Sequence, residues 1–177
     1  MICIEPVRGT SHIVVAKFKA DIALYRQALG PLRGEEAFYR TERPYDLIER
    51  LGNVWTRGGI EEFFKLATGA AATAYSNANA RIGVGSGTTP ATDQDTALEG
   101  PSTFFMAMNT GYPLVGSGAD KKTTWQGTAA SGEAQFHWQE IVIDNGAVAA
   151  IILNHAIEDL GTKGAETWLV TIETPLA

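Results

Sequence analysis

The chain holds a single cysteine, Cys3, so no disulfide can close within it. A lone thiol near the start of a chain suits a reducing compartment. No apolar run approaches the roughly 18–20 residues that a membrane-spanning helix needs. The opening stretch, Met1 to Arg8, lacks the basic n-region and long apolar h-region of a signal peptide. The chain is therefore expected to stay where it is made, or to leave inside a larger assembly. Positive charge is scarce in the later part. Residues 1–62 carry nine Lys/Arg and nine Asp/Glu, whereas residues 63–177 carry five against eleven. Phosphate neutralisation needs clustered Lys/Arg, so nucleic acid is not an expected partner of that acidic part. The balanced first part offers Arg40, Arg43, Arg50 and Arg57 to an acidic surface, beside the plainer reading of a solvated face.

Charge of both signs is modest at 19%, while hydrophobic residues make up 45%, which is ordinary for a globular chain of 177 residues with a sizeable core. The most regular stretch is Thr167 to Thr174. Trp168, Val170 and Ile172 point one way and Thr167, Thr171 and Glu173 the other, the period of two that marks a strand with one buried face. After residue 80, glycine-rich turns alternate with further strand-like runs: Arg81–Gly85, Thr103–Met108, Thr123–Ala130, Ala134–Ile143 and Val148–Leu153. Short strands at this spacing predict an antiparallel β-sandwich, jelly-roll-like, over residues 76–177, with Trp125, Phe136, Trp138 and Trp168 in its interior. Residues 1–75 read as a mixed, partly helical N-terminal segment. Ser11–Lys19 resembles a strand, Asp21–Leu29 a short helix stopped by Gly30-Pro31, and Gly59–Thr68 a helix closed by Gly69. Asp46–Leu51 reads as a helical turn or two. Arg33–Arg43, charged and aromatic without a period, reads as an arm that orders only against a neighbour.

Several motifs invite chemistry. Gly83-Val-Gly-Ser-Gly-Thr-Thr-Pro resembles a phosphate cradle, but a cradle must lead into a helix, and here Pro90 and a polar loop follow. Asp93, Asp95 and Glu99 offer carboxylates for calcium, yet the EF-hand offsets are absent, and Asp95 serves equally as a cap for Thr96-Ala-Leu. His12, His137 and His155 lack metal-ligand spacing, so no metal or other cofactor is expected. No Gly-x-Ser-x-Gly elbow sits on a strand-to-helix turn. Glu140 stands out, because alternation from Phe136 and Trp138 turns its carboxylate inward. A buried carboxylate must be paired, hydrogen-bonded or protonated. Hydrogen bonds from turn N–H groups, or a β-bulge that turns it outward, are favoured over a catalytic acid. No catalytic residue, and no enzyme, is expected.

The order of several short motifs carries a resemblance. Gly52-Asn-Val-Trp-Thr-Arg-Gly-Gly-Ile-Glu-Glu-Phe-Phe-Lys-Leu-Ala-Thr-Gly is followed by Asn77-Ala-Asn-Ala-Arg-Ile-Gly-Val-Gly-Ser-Gly-Thr-Thr and Asp95-Thr-Ala-Leu-Glu-Gly. Gly111-Tyr-Pro, Ala134-Gln-Phe-His-Trp-Gln-Glu-Ile and Gly161-Thr-Lys-Gly-Ala-Glu-Thr-Trp come next. Together they span residues 50–174 and resemble a family of tailed-bacteriophage virion structural proteins. The resemblance implies a β-sandwich subunit of the particle and no active site. Capsid cement or decoration is the role expected of it, with the major capsid protein and further copies of itself, as a trimer, for partners. A tail or tail-fibre component is the alternative, and a carbohydrate-binding module a more distant one. Its expected location is the capsid surface of the virion, after synthesis in the host cytoplasm. Phe38, Tyr39, Arg40, Arg43, Tyr45 and Arg50 are the residues expected at intersubunit contacts, since aromatic and Arg side chains dominate interface hot spots. The competing reading has the aromatics completing the chain's own core.

Overall fold

The computed structural model describes residues 11–117 and 121–175. Its elements run β1 (His12–Phe18), α1 (Ile22–Leu29), α2 (Pro31–Thr41), β2 (Asp46–Leu51), β3 (Val54–Trp55) and α3 (Arg57–Thr68). Then follow β4 (Arg81–Gly85), β5 (Thr103–Ala107), β6 (Leu114–Val115), β7 (Lys122–Ala129), β8 (His137–Asp144), β9 (Ile152–Thr162) and β10 (Thr167–Pro175). The strands form two five-stranded antiparallel sheets, ordered β2-β1-β10-β7-β6 and β3-β9-β8-β4-β5. Among the described residues no helix is long and apolar enough to cross a membrane.

The sheets pack face to face because their alternating apolar side chains have nowhere else to leave water. Ile13, Val15, Trp125, Trp168, Val170 and Ile172 come from the first sheet. Ile82, Val84, Trp138, Ile141, Ile143, Leu153 and Leu160 come from the second. Trp138 meets Trp168 edge-on at 4.7 Å between ring centroids. These three core indoles each find an acceptor: Trp125 donates to Thr174 Oγ1 (2.9 Å), Trp138 to the Ala134 carbonyl (2.9 Å) and Trp168 to Glu166 Oε1 (3.0 Å). Enclosing one such ring contributes on the order of 2–3 kcal/mol.

Side chains on the opposite face of β1, Ala16 and Phe18, start a second apolar cluster with Ile22, Phe38 and Ala130. The α1–α2 hairpin covers this end of the first sheet. Asp21 caps α1 by accepting from the Ala23 N–H at 2.9 Å. Gly34 lets the helices touch, since a Cβ there would lie 2.6 Å from the Arg26 backbone.

Three expectations need correction. Arg33–Arg43 is not an arm awaiting a neighbour but most of α2. Pro31 starts that helix, and Gly34 and Phe38, four residues apart, form its buried face. Asp46–Leu51 is a strand, not a helical turn. Ile48 packs against the core while Leu47, Glu49 and Leu51 are exposed, so the period is two. The strand sought at Val148–Leu153 starts at Ile152 and runs to Thr162. Asn145 explains the shift, because its Oδ1 accepts from the Ile151 N–H (2.9 Å) and closes a turn over residues 145–151. The first part of the chain is also woven into the sandwich: β1 and β2 belong to one sheet and β3 to the other, so both sheets draw on each side of residue 75.

Candidate functional site

A cluster of enclosed acidic and imidazole side chains lies on β8, β9 and the connection between β4 and β5. Trp138, Ile141 and Ile143 all belong to the inter-sheet core, so alternation along β8 breaks after Trp138. The β8–β9 register shifts at that point, between Trp138 and Glu140. Glu140 therefore pairs with Gly85, on the face opposite Val84 and Ile141. The loop of residues 86–102 roofs it completely, and Glu140 has no exposed surface.

That loop supplies the donors a buried carboxylate needs. Glu140 Oε1 accepts from the N–H groups of Gly87 (2.9 Å) and Gly100 (2.8 Å), and Oε2 from Glu99 (2.9 Å). The last two glycines of Gly83-Val-Gly-Ser-Gly make the room. A Cβ on Gly85 would stand 2.2 Å from Oε1, and one on Gly87 2.6 Å. The motif that resembles a phosphate cradle is thus a cradle for an internal carboxylate, formed by a loop rather than a helix N-terminus.

His155, on β9 and fully buried, stands between two acids. Its Nδ1 bonds Asp95 Oδ2 at 2.6 Å. Its Nε2 lies 3.3 Å from Glu140 Oε2, within ion-pair range but off the hydrogen-bond axis, so Nε2 has no hydrogen-bond partner. Burial pushes the Asp95 carboxyl up. The Thr92 hydroxyl and N–H, together with His155, outweigh burial and hold it below the ordinary carboxylate range. Asp93 anchors the same loop elsewhere: Arg57 Nε donates to its Oδ2 at 2.7 Å, and the Arg57 N–H to its carbonyl at 2.7 Å. Asp93, Asp95 and Glu99 thus act separately, Glu99 only through its backbone. Among the described residues no group of three or more His, Cys, Asp or Glu is placed to hold a metal ion.

The other histidines are surface residues. His137 meets Asp159 at 2.8 Å, and His12 lies 3.7 Å from Glu49 and 3.9 Å from Glu173. Trp125, Trp138 and Trp168 are buried, which removes them as platforms for a carbohydrate.

The six residues expected at contacts part ways. Phe38 is fully enclosed and offers nothing to a partner. Tyr39 packs edge-on against it at 5.2 Å and bonds Thr128 Oγ1 through its hydroxyl at 2.7 Å. For these two, completing the chain's own core is the role seen. Arg40 and Arg43 are exposed, Arg40 within reach of Glu36 one helical turn away. Tyr45 is 50% exposed, with the Lys19 ammonium 5.7 Å from its ring centroid. Arg50 spans the side of the sandwich, donating to the Glu49 carbonyl and to the Asp159 carbonyl on β9.

Compared with known proteins, the chain matches no family model, no curated protein and no solved structure.

Sequence reasoning missed the largest exposed aromatic pair, Phe63 and Phe64 on α3. Ile60, Phe63, Phe64 and Ala67 recur at helical spacing, which marks the helix but not the face it buries. α3 buries Gly59 and Glu62: a Cβ on Gly59 would strike the Leu153 backbone at 2.6 Å, and Glu62 accepts from the Thr73 N–H. It also missed Lys163, buried between glycines with Nζ donating to the Ala130 carbonyl at 2.9 Å. Nothing local marks that lysine as internal. His155 was open to detection, since it sits in the apolar run Ile151 to Ile157 one strand from Glu140.

Proposed function

We propose that this chain is a structural subunit of a tailed-bacteriophage particle, a capsid cement or decoration protein that clamps neighbouring major capsid subunits and strengthens the shell against the packed genome. The observation that carries the reading is the distribution of side chains. The enclosed acids and imidazole are engaged in fixing a loop, while large apolar groups stand outside on rigid elements. These are Leu24, Leu29 and Leu32 on the α1–α2 hairpin, Leu47 and Leu51 on β2, and Phe63 and Phe64 on α3. Scattered exposed apolar residues are normal, but paired aromatics on a well-anchored helix suit a docking surface. Arg40, Arg43 and Tyr45 extend that surface in this proposal, and the chain acts as a homo-oligomer, a trimer, on a capsid symmetry axis. The finer, jelly-roll-like description rests on nested pairing. β1 pairs with β10 in one sheet and β3 with β9 in the other. The resemblance across residues 50–174 supports the virion assignment and leaves the tail as the alternative site.

Quantitative mass spectrometry of purified virions separates the two. Cement requires shell-wide stoichiometry with the major capsid protein, whereas a few copies per particle would move the chain to the tail. Absence from the particle would end both readings.

A further inference from the structure

We infer that loop 86–102 and the end of β4 form a receptor for one carboxylate, filled in this chain by its own Glu140, which accepts a free monocarboxylate once that side chain is cut back. Three convergent N–H groups from Gly87, Glu99 and Gly100 address the two oxygens. His155 adds an independent sign of a ligand: its Nε2 is fully buried, lacks a hydrogen-bond partner and faces Oε2 at 3.3 Å. Space for the carboxylate is reserved by absent side chains, because a Cβ on Gly85 or Gly87 would collide with Oε1 at 2.2 or 2.6 Å, while one on Gly100 would strike the Gly87 nitrogen at 2.3 Å and push the loop apart.

The loop also has anchors other than Glu140. Asp95 holds His155, and Arg57 holds Asp93. The Ser86 N–H donates to the Ser102 carbonyl at 3.0 Å, closing the loop at its base. Donors fixed by other contacts are the condition under which an oriented set of N–H groups binds an anion rather than collapsing.

Atom counting sets the ligand. Glu140→Ala removes Cγ, Cδ and both oxygens. The space suits formate in that variant, since acetate would press its methyl on the remaining Cβ, and acetate in Glu140→Gly.

The test is thermal unfolding of both variants in sodium formate, acetate, propionate and chloride at constant ionic strength, beside the unaltered chain. Expected is a carboxylate-specific rise in Tm of about 3–6 °C at a concentration near tenfold the Kd. Formate should lead for Glu140→Ala and acetate for Glu140→Gly, with propionate weakest and no specific rise in the unaltered chain. Equal effects of chloride and formate would overturn the inference. Should the variants fold only with carboxylate present, recovery of native fluorescence on refolding in formate but not chloride supports it. Should they fold in neither, Glu140→Gln decides. The Gly87, Glu99 and Gly100 amide protons should then move upfield and exchange at least about tenfold faster than in the unaltered chain. Unchanged amides in that variant would refute carboxylate recognition.

Discussion

Replacing Gly85 by alanine should destabilise the fold through Glu140 alone, which makes it a sharp test of the cradle. Gly85 lies on β4 with a backbone that alanine accepts, so no strain arises from φ. Taken by itself, Gly→Ala at such a position gains roughly 0.4–1 kcal/mol by narrowing the unfolded ensemble. Against that, the new Cβ would sit 2.2 Å from Oε1 and 2.7 Å from the carboxyl carbon. Glu140 must move, and Oε1 is the oxygen that accepts from both Gly87 and Gly100. Hydrogen bonds to a charged group are worth about 1.5–3 kcal/mol each, so losing both leaves a net cost of about 2–5 kcal/mol after that gain. For a chain of this size the fall in Tm is about 5–15 °C. Urea unfolding followed by tryptophan fluorescence and far-UV circular dichroism measures it. The decisive arm repeats Gly85→Ala in a Glu140→Ala background. There the methyl group meets no carboxylate, and the substitution should become neutral or slightly stabilising. An equal penalty in both backgrounds, within about 0.5 kcal/mol, would refute the reasoning, since contact between the two sites demands non-additivity.

Two other outcomes follow from the surface and from the helical hairpin. Burial pushes the Tyr39 hydroxyl up to about 12, more than its bonds to Thr128 and Asn109 lower it. The folded chain therefore keeps a proton that the unfolded chain loses near pH 10, and stability should fall as pH rises from about 10 to 12 by on the order of 2–3 kcal/mol. Tyr39→Phe should flatten that decline in urea midpoints taken across this range, and an unchanged slope would contradict the assignment. Burial also pushes Tyr75 up, which leaves a residual slope in the variant. On α3, Phe63→Ser with Phe64→Ser should alter monomer stability by only about 1 kcal/mol, because Phe63 is 43% and Phe64 61% exposed. The same change should sharply reduce co-sedimentation with capsids lacking this chain; a collapse of Tm would instead place the rings in the fold's own packing.

Strand periodicity carried much of the architecture. Trp168, Val170 and Ile172 share the core face as the alternation demands, with Trp168 and Val170 fully buried, while Leu169 on the other face packs against the second cluster. Asp21, Gly30 and Gly69 also mark helix ends by their local chemistry, and the ends lie there. Where tertiary contact overrode local pattern, reading failed. Leu47, Glu49 and Leu51 hide a strand, because an edge strand whose outer face is wet gains its order from β1 rather than from its own hydrophobicity. Phe38 looks like an exposed aromatic among charges, yet Phe18 and Ile22 enclose it from residues far back in the chain. At the cradle, Glu140 was legible as a carboxylate in need of donors. Its partners were not, since Gly87, Glu99, Gly100 and His155 meet it only through the fold. The sandwich also assigns the glycine-rich stretch a task that neither its spacing nor the sequence following it suggested.

β9 lies between β3 and β8 in one sheet, while β10 lies between β1 and β7 in the other. Two consecutive strands therefore plug two different gaps, joined by a turn whose Lys163 ties it to the end of β7. Just ahead of them Val148 projects wholly into solvent. A backbone cut at that tip would produce two fragments, neither with an intact sheet, interlocked by ladders on four sides. Fragment complementation is the practical consequence: residues 149–177, supplied as a separate peptide, should seat themselves in the remainder of the chain and carry a label or cargo with them.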